Sequence, residues 1–366
     1  MPKDEKYRTY DEAGVSISEG DKCSSIAYRA CLETYENRKG RFGQPKEIGG
    51  SFSAPVSIDV SAPDTYLVKN SDGVGSKALI AQKMDHHKSL GFDLVAMNVD
   101  DAASIGAEPF VGTNSLDIAK AEPELVKELM SGLVQACEQA NLAMIGGEIA
   151  ELPDQLKGFG NPYIWNADII GVMEKDKKID GSKIRSGDSI VSVRSRGMRS
   201  NGFTLARKIL GDTYGNEWEK EKGPERSSWG EVLLKPSVIC TPAITKMVGR
   251  YGEGGFANVS GVVHLTGGGL ENLKRVLPSH LGAELVDLYE PHDEMVLLQE
   301  MGPVSDREAY RTWNMGQCLL IITDQPDEVI GLSEELGLEC KKSGKVVKSD
   351  KIQVKGKGRE GKEFDL

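Results

Sequence analysis

Long apolar runs are missing from this chain. None approaches the roughly 18 residues that cross a bilayer, and 318–322 is among the longest. Residues 2–11 are polar and charged, without the apolar core of a secretory signal. Closely spaced cysteines are missing too. Six stand at positions 23, 31, 137, 240, 318 and 340 with no Cys-x-x-Cys pair. That pattern argues against structural zinc and points to reduced thiols in a cytoplasmic protein. Nor is there a basic excess: 45 Lys and Arg face 56 Asp and Glu, for a net charge of −11 and a pI of about 5.2. A nucleic-acid binder carries a basic face, so neither nucleic acid nor membrane is an expected partner. Phosphate-bearing small molecules stay open, because backbone N–H groups, one lysine and magnesium can hold phosphates inside an acidic protein. No Ser, His and Asp set and no Cys and His set stands out, which argues against covalent hydrolysis.

What is present is an ordinary globular composition, 39% hydrophobic and 28% charged. With 366 residues the chain exceeds the roughly 250–300 at which a single core stops growing, so two domains are expected. The first forty-odd residues read as an N-terminal arm, with 38–45 loop-like. Strands are predicted at 65–70, 93–99 and 142–145, the last ending abruptly at Gly146-Gly147-Glu148, and β-compatible residues run over 167–173. Between them, Pro123 suits a first helical turn, and Leu125, Leu129, Leu133, Ala136, Cys137 and Ala140 recur at helical spacing. The charged, glycine-containing stretch 174–188 holds the domain boundary. A second α/β unit follows, with a strand at 189–193, a helix at 201–210, helical periodicity over 236–248, a 259–265 segment running into a glycine loop and then a helix to Leu277, and a buried strand at 317–323. The reading is two α/β halves, 1–175 and 176–350, and a lysine- and glycine-rich tail, 351–366, expected to fray.

The motif with most chemical content is Asp72-Gly73-Val74-Gly75-Ser76-Lys77, directly after a strand. Two glycines let the backbone turn sharply and present N–H groups to an anion. Asp72 suits magnesium and Lys77 a phosphate. The spacing is neither a Walker A loop nor a dinucleotide fingerprint, and a plain glycine turn reads equally well. Asp93, Asp100 and Asp101 flank a strand-like stretch and Glu148 follows another, as magnesium carboxylates would. Capping of a helix from Ala102 is the plainer reading of Asp100 or Asp101. His264-Leu265-Thr266-Gly267-Gly268-Gly269 precedes a predicted helix and would offer an anion site from free N–H groups and the helix dipole. Ser200-Asn201-Gly202 stands at another helix start. Arg311-Thr312-Trp313-Asn314-Met315-Gly316 precedes the buried strand.

The order of these motifs is more specific than any one of them. The chain resembles the aminoimidazole ribonucleotide (AIR) synthetase family over nearly its whole length. The likeness runs from the Tyr10–Ile17 segment, through 72–77, 93–97 with 106–109, 146–151 and 200–202, to 264–269 and 310–316. It implies an α/β (α+β) fold whose N-terminal sheet contributes to a barrel shared between two subunits, with a C-terminal mixed sheet flanked by helices. It implies a homodimer, ATP and Mg2+, and formylglycinamidine ribonucleotide (FGAM) as the small-molecule substrate. Carried onto this chain, it makes Asp72, Lys77 and His264 catalytic. Gly73, Val74, Gly75, Ser76 and Asp93 become nucleotide-binding, and Asp72, Asp101 and Glu148 metal-binding. Ser200, Asn201, Gly202, Thr266, Gly267, Gly268, Gly269, Arg311 and Asn314 become substrate-binding. The chain departs from the family's usual pattern at Ser51, Asp100, Asn114 and Arg199; the arginine would add charge to a phosphate pocket. The alternatives are a related kinase or dehydratase of the same superfamily, such as thiamine monophosphate kinase, or a nucleotide-binding paralogue without activity.

Overall fold

A computed structural model describes residues 16–47, 53–60, 62 and 64–366. The 10–15 and 49–52 segments of the sequence reading, Ser51 included, lie outside them. Thirteen strands are present among the described residues: β1 Gln44–Pro45, β2 Val56–Ser57, β3 Thr65–Gly73, β4 Glu108–Ile118, β5 Ala143–Glu151, β6 Tyr163–Glu174, β7 Ser189–Arg194, β8 Gly261–His264, β9 Gly282–Leu285, β10 Gln317–Thr323, β11 Cys340–Val347, β12 Ile352–Lys355 and β13 Glu363–Asp365. A four-stranded sheet has the order β3-β6-β4-β5, parallel only between β4 and β5. A seven-stranded sheet has the order β13-β12-β9-β11-β7-β10-β8, parallel only between β9 and β12. A third, two-stranded sheet pairs β1 with β2 antiparallel, and the mixed α/β architecture of the two larger sheets matches the expected class.

The helices are α1 Ile17–Thr34, α2 Ala78–Met84, α3 Leu90–Ser104, α4 Pro123–Ala140, α5 Phe203–Tyr214, α6 Trp229–Leu233, α7 Thr241–Val248, α8 Asp293–Met301, α9 Asp306–Thr312 and α10 Pro326–Glu334. α1, α3 and α4 pack together under the four-stranded sheet. The supposed N-terminal arm is therefore largely a helix seated on the core. The strand expected over 93–99 is wrong: these residues lie in the middle of α3. Thirteen of the fifteen α3 residues are buried. A helix buried on every side loses the polar face that gives a 3.6-residue period, so its apolar run reads as a strand. Asp100 and Asp101 accordingly sit inside a helix and cap nothing from Ala102.

Two further expectations are corrected. β5 does not stop at Gly146 but runs through Gly147 and Glu148 to Glu151, because parallel pairing with β4 continues to Ile118. The 351–366 tail does not fray: β12 joins β9 and β13 joins β12, with Ile352 and Val354 buried. Asp306 accepts from the N–H groups of Glu360 and Gly361, which ties down the turn between them.

The 174–188 stretch carries the chain from one sheet to the other. Elements of the two parts touch through α3, which meets both α7 and β8. A buried Arg38–Glu108 ion pair at 2.8 Å adds a tie, since Glu108 also accepts from the Tyr251 N–H at 2.9 Å.

Candidate functional site at the junction of the two sheets

β3 ends at Asp72-Gly73, and the chain turns through a 3-10 turn, Gly75–Lys77, into α2. Gly75 has φ +56°, a conformation glycine adopts without strain. Asn98 of α3 donates to the Asp72 carbonyl at 3.2 Å, which sets the strand end against the helix face carrying Asp101. Burial, with a smaller contribution from the nearby Asp101 charge, raises the Asp72 carboxyl above the usual range. The loop 73–77 lies beside the start of α5: Ser76 Oγ is 3.5 Å from Thr204 Oγ1.

From the other sheet, β8 delivers His264. Its Nδ1 lies 2.7 Å from Asp101 Oδ1, and its Nε2 lies 2.9 Å from the Arg199 guanidinium. Arg199 also contacts Asp100 Oδ2 at 3.0 Å. The glycine loop after β8 abuts the 200–202 loop, and a Cβ on Gly267 would stand 3.5 Å from Asn201 Oδ1. Gly202, at φ +80°, lies against Trp313, whose Nε1 donates to the Gly202 carbonyl at 3.1 Å. Asp101, His264, Thr266, Asn272 and Arg275 line a cleft of about 480 Å3 here. Three buried polar atoms around these loops have no hydrogen-bond partner among the described residues: Arg199 Nε, Ser200 Oγ and Asn272 Oδ1. Orphaned buried polar atoms are rare in folded proteins, and a polar ligand is one way to satisfy them.

Several expected site residues are elsewhere or already engaged. Lys77 is fully buried: its Nζ pairs with Asp93 Oδ2 at 2.7 Å and donates to the Lys235 carbonyl at 2.7 Å. It does not point at a phosphate, and Asp93 is its counter-ion rather than a nucleotide ligand. Burial lowers the lysine and raises the aspartate, each opposed by the partner's charge. The N–H groups of Gly73 and Val74 are taken by Asp72 Oδ1 and the Trp165 carbonyl, so they cradle nothing. Both ring nitrogens of His264 are engaged, so it is a link and not a group free to touch an amide. Arg311 makes exposed ion pairs with Glu271 and Glu308, each at 3.3 Å. Asn314 clamps the backbone, donating to the Gly197 carbonyl at 2.7 Å and accepting from the Gly316 N–H at 3.0 Å. Gly269 opens only a seven-residue 3-10 helix, Gly269–Arg275, not the α-helix expected there. Arg199, expected to charge a phosphate pocket, spends its guanidinium on Asp100 and His264.

Glu148 does not join Asp72 and Asp101. Asp72 is in register with Ala167, Asn114 and Gly147, whereas Glu148 is in register with Ser115 and Asn166. Neighbouring positions alternate faces, and β3 and β5 are opposite edges, about 14 Å apart at about 4.8 Å per strand. No group of three His, Cys, Asp or Glu among the described residues could hold a metal.

The geometry alone leaves the family open. A model of the AIR synthase related protein N-terminal domain matches residues 54–173, and one of the corresponding C-terminal domain matches 185–357. The chain belongs to the AIR synthase related protein family. Full-length relatives agree with this placement. The phosphoribosylformylglycinamidine cyclo-ligase of Pyrococcus furiosus is 34% identical, over 93% of this chain and 98% of that protein. That of Desulfotalea psychrophila is 35% identical over 93% of each. That of Bacillus cereus is 32% identical over 95% of this chain and 98% of its own. Among solved structures, thiamine-monophosphate kinase from Stenotrophomonas maltophilia has a TM-score of 0.61 at 16% identity, covering 90% of this chain and 96% of that one. The hydrogenase maturation protein HypE of E. coli has a TM-score of 0.59 at 15% identity, covering 93% and 96%. These two establish the shared fold.

Sequence reasoning missed Asn98, Asn272 and Thr241 as parts of this junction, the last donating to Asp100 Oδ1 through its N–H and its hydroxyl. Asn98 was hidden inside the misread strand. Asn272 follows the glycine loop at a spacing that carried no signal by itself.

Proposed function

We propose that the protein is an ATP-dependent cyclo-ligase that converts FGAM to AIR, with ADP and phosphate as the other products. The observation that carries this reading is the junction: Asp101 on the cleft, Asp72 near enough for the Asp101 charge to act on it, and neighbouring loops with three buried polar atoms that lack partners among the described residues. The size of the cleft suits a ribonucleotide, since small-molecule sites span about 300–1,000 Å3. The cyclo-ligase relatives support the choice of reaction over other chemistries on the same fold.

An amide oxygen is a poor leaving group. Transfer of the γ-phosphoryl of ATP to the formyl oxygen of FGAM turns it into a phosphate ester. The amidine nitrogen then attacks that carbon, the imidazole ring closes, and inorganic phosphate departs. Positioning and charge neutralisation carry most of such catalysis. Asp72 and Asp101 fit magnesium, which takes one or two carboxylates and completes its shell with phosphate oxygens and water. There it would neutralise charge on the transferring phosphoryl group. Ser200 Oγ, the start of α5 and the 266–268 loop are suited to the ribose phosphate, through a free hydroxyl, a helix N-terminus and backbone N–H groups. Gly75 and Ser76 are the members of the 73–77 loop left to meet the triphosphate.

We place the ATP-binding and dimerisation functions in 1–175, in a cytoplasmic homodimer. The outer face of the four-stranded sheet supports this, since Leu67, Ile164 and Ile170 are exposed on it. A partner sheet closing over that face would also cover Glu148, which lies on the same side.

The test is phosphate release with magnesium and ATP. Release that depends on FGAM is the expected result, and Asp72→Asn should lower it at least about 100-fold with the fold intact, as for loss of a charge-stabilising group. Transfer to thiamine monophosphate instead, or FGAM-independent release, would sink the assignment.

A further inference from the structure

A buried charge pair at the junction has no role in the reaction as assigned. Asp100 is fully buried in α3. Its Oδ1 accepts from the N–H groups of Cys240 and Thr241 at 2.9 and 2.8 Å and from Thr241 Oγ1 at 2.9 Å. Its Oδ2 meets Arg199, which is 2% exposed and held at φ +61°. Burying two charges is costly before they pair, and apolar replacements of such pairs are often neutral or stabilising. A non-glycine residue in the left-handed region adds strain. A costly pair in a strained backbone is a reason to look for what it holds.

It holds His264. An arginine has five N–H donors and no acceptor. The Arg199 contact at 2.9 Å therefore requires His264 Nε2 to accept. A neutral imidazole carries its proton on the other nitrogen, so Nδ1–H donates to Asp101 Oδ1 at 2.7 Å. One oxygen of Asp101 is thereby fixed, and the other is left for a cation shared with Asp72.

We propose that Arg199, anchored by Asp100, is a positioning residue that locks His264 in the Nδ1–H tautomer and so orients Asp101 as a metal ligand. The part concerning Asp101 rests on the magnesium reading above; the tautomer does not. Outer partners of this kind set ring orientation, and their loss commonly weakens metal binding 10- to 100-fold.

Histidine-selective 15N labelling with long-range 1H–15N correlation reads the tautomer without substrate, with His264→Gln assigning the signal among the five histidines. The intact protein should show Nδ1–H at His264. Arg199→Met should convert it to Nε2–H or a mixture and raise half-saturating magnesium about tenfold with ATP present. Arg199→Lys, still a donor without an acceptor, should retain the original signal. Arg199→Met leaves Asp100 buried and alone, so the paired variant Asp100→Leu with Arg199→Met repeats the reading with neither charge present. An Nε2–H signal in the intact protein, or an unchanged Nδ1–H signal in whichever variant folds, overturns the proposal. A changed tautomer with unchanged magnesium dependence overturns the metal-orienting half and, unlike a failure of the FGAM assay, leaves the clamp standing.

Discussion

Lys77 shows how a residue type can be right and its role wrong. A lysine after two glycines suggests a phosphate, yet this one is sealed against Asp93. The sequence carries no information on which way the side chain turns. Removing one member of a buried pair leaves the other charge uncompensated, so Lys77→Met should cost about 3–5 kcal/mol in urea unfolding. Lys77→Met with Asp93→Leu should recover most of that, and equal losses in both variants would contradict the pairing. Glu294 is a second buried charge, fully enclosed on α8, with neither carboxylate oxygen partnered among the described residues. Burial pushes its carboxyl up to about 7 from 4.5. The folded protein then binds this proton more tightly than the unfolded chain. Stability contributed by the protonated group is present below about pH 4.5 and is lost as pH rises toward about 7, a change of about 3 kcal/mol. Glu294→Gln should flatten that slope, leaving the variant more stable than the parent at about pH 8 and little changed at about pH 4. Denaturation midpoints at the two pH values decide it.

At the scale of elements, α3 organises the site. It supplies Asn98, Asp100 and Asp101, and it reaches its position by close approach to α4. A Cβ on Gly91 would stand 2.2 Å from the Gly132 carbonyl carbon, and one on Gly132 would stand 1.8 Å from the Lys88 carbonyl oxygen. Gly132→Val should therefore force this contact apart and destabilise by about 1–3 kcal/mol or more, read as a lower thermal midpoint. Turnover should fall with it if α3 sets the carboxylates, and a fully stable, active variant would refute that dependence. The helix was legible as an apolar segment and illegible as a helix, because burial on all sides erases the period that distinguishes the two. α4, with one polar face, was legible from its spacing. β10, buried at all seven positions, was legible as a continuous apolar run of strand length.

At the scale of the molecule, the two sheets meet where β3, α3, β8 and the 199–202 loop converge. On the outer face of the four-stranded sheet Leu67, Ile164 and Ile170 stay exposed, Leu67 at 63%, while Val111, Ala143 and Val172 are buried under Phe42, Val56 and Tyr251. Apolar residues on an open sheet face mark an interaction surface. Leu67→Glu with Ile164→Glu should convert the proposed dimer into a monomer in sedimentation velocity and abolish FGAM-dependent turnover. A wild-type protein that sediments as a monomer at micromolar concentration would remove the dimer from the proposal.

The sequence by itself determined the α/β class, the two-part organisation and, through the order of its motifs, the family. Those properties rest on local pattern and on residue types strung along one chain, which a reader of the chain can see. Only the tertiary structure decided that Lys77 and Asp93 neutralise each other, that Glu148 faces away from Asp72, and that His264 is spent between Arg199 and Asp101. Each of these depends on side-chain direction and on pairing between residues from 16 to 163 positions apart in the chain, and neither direction nor distant pairing leaves a mark in local pattern.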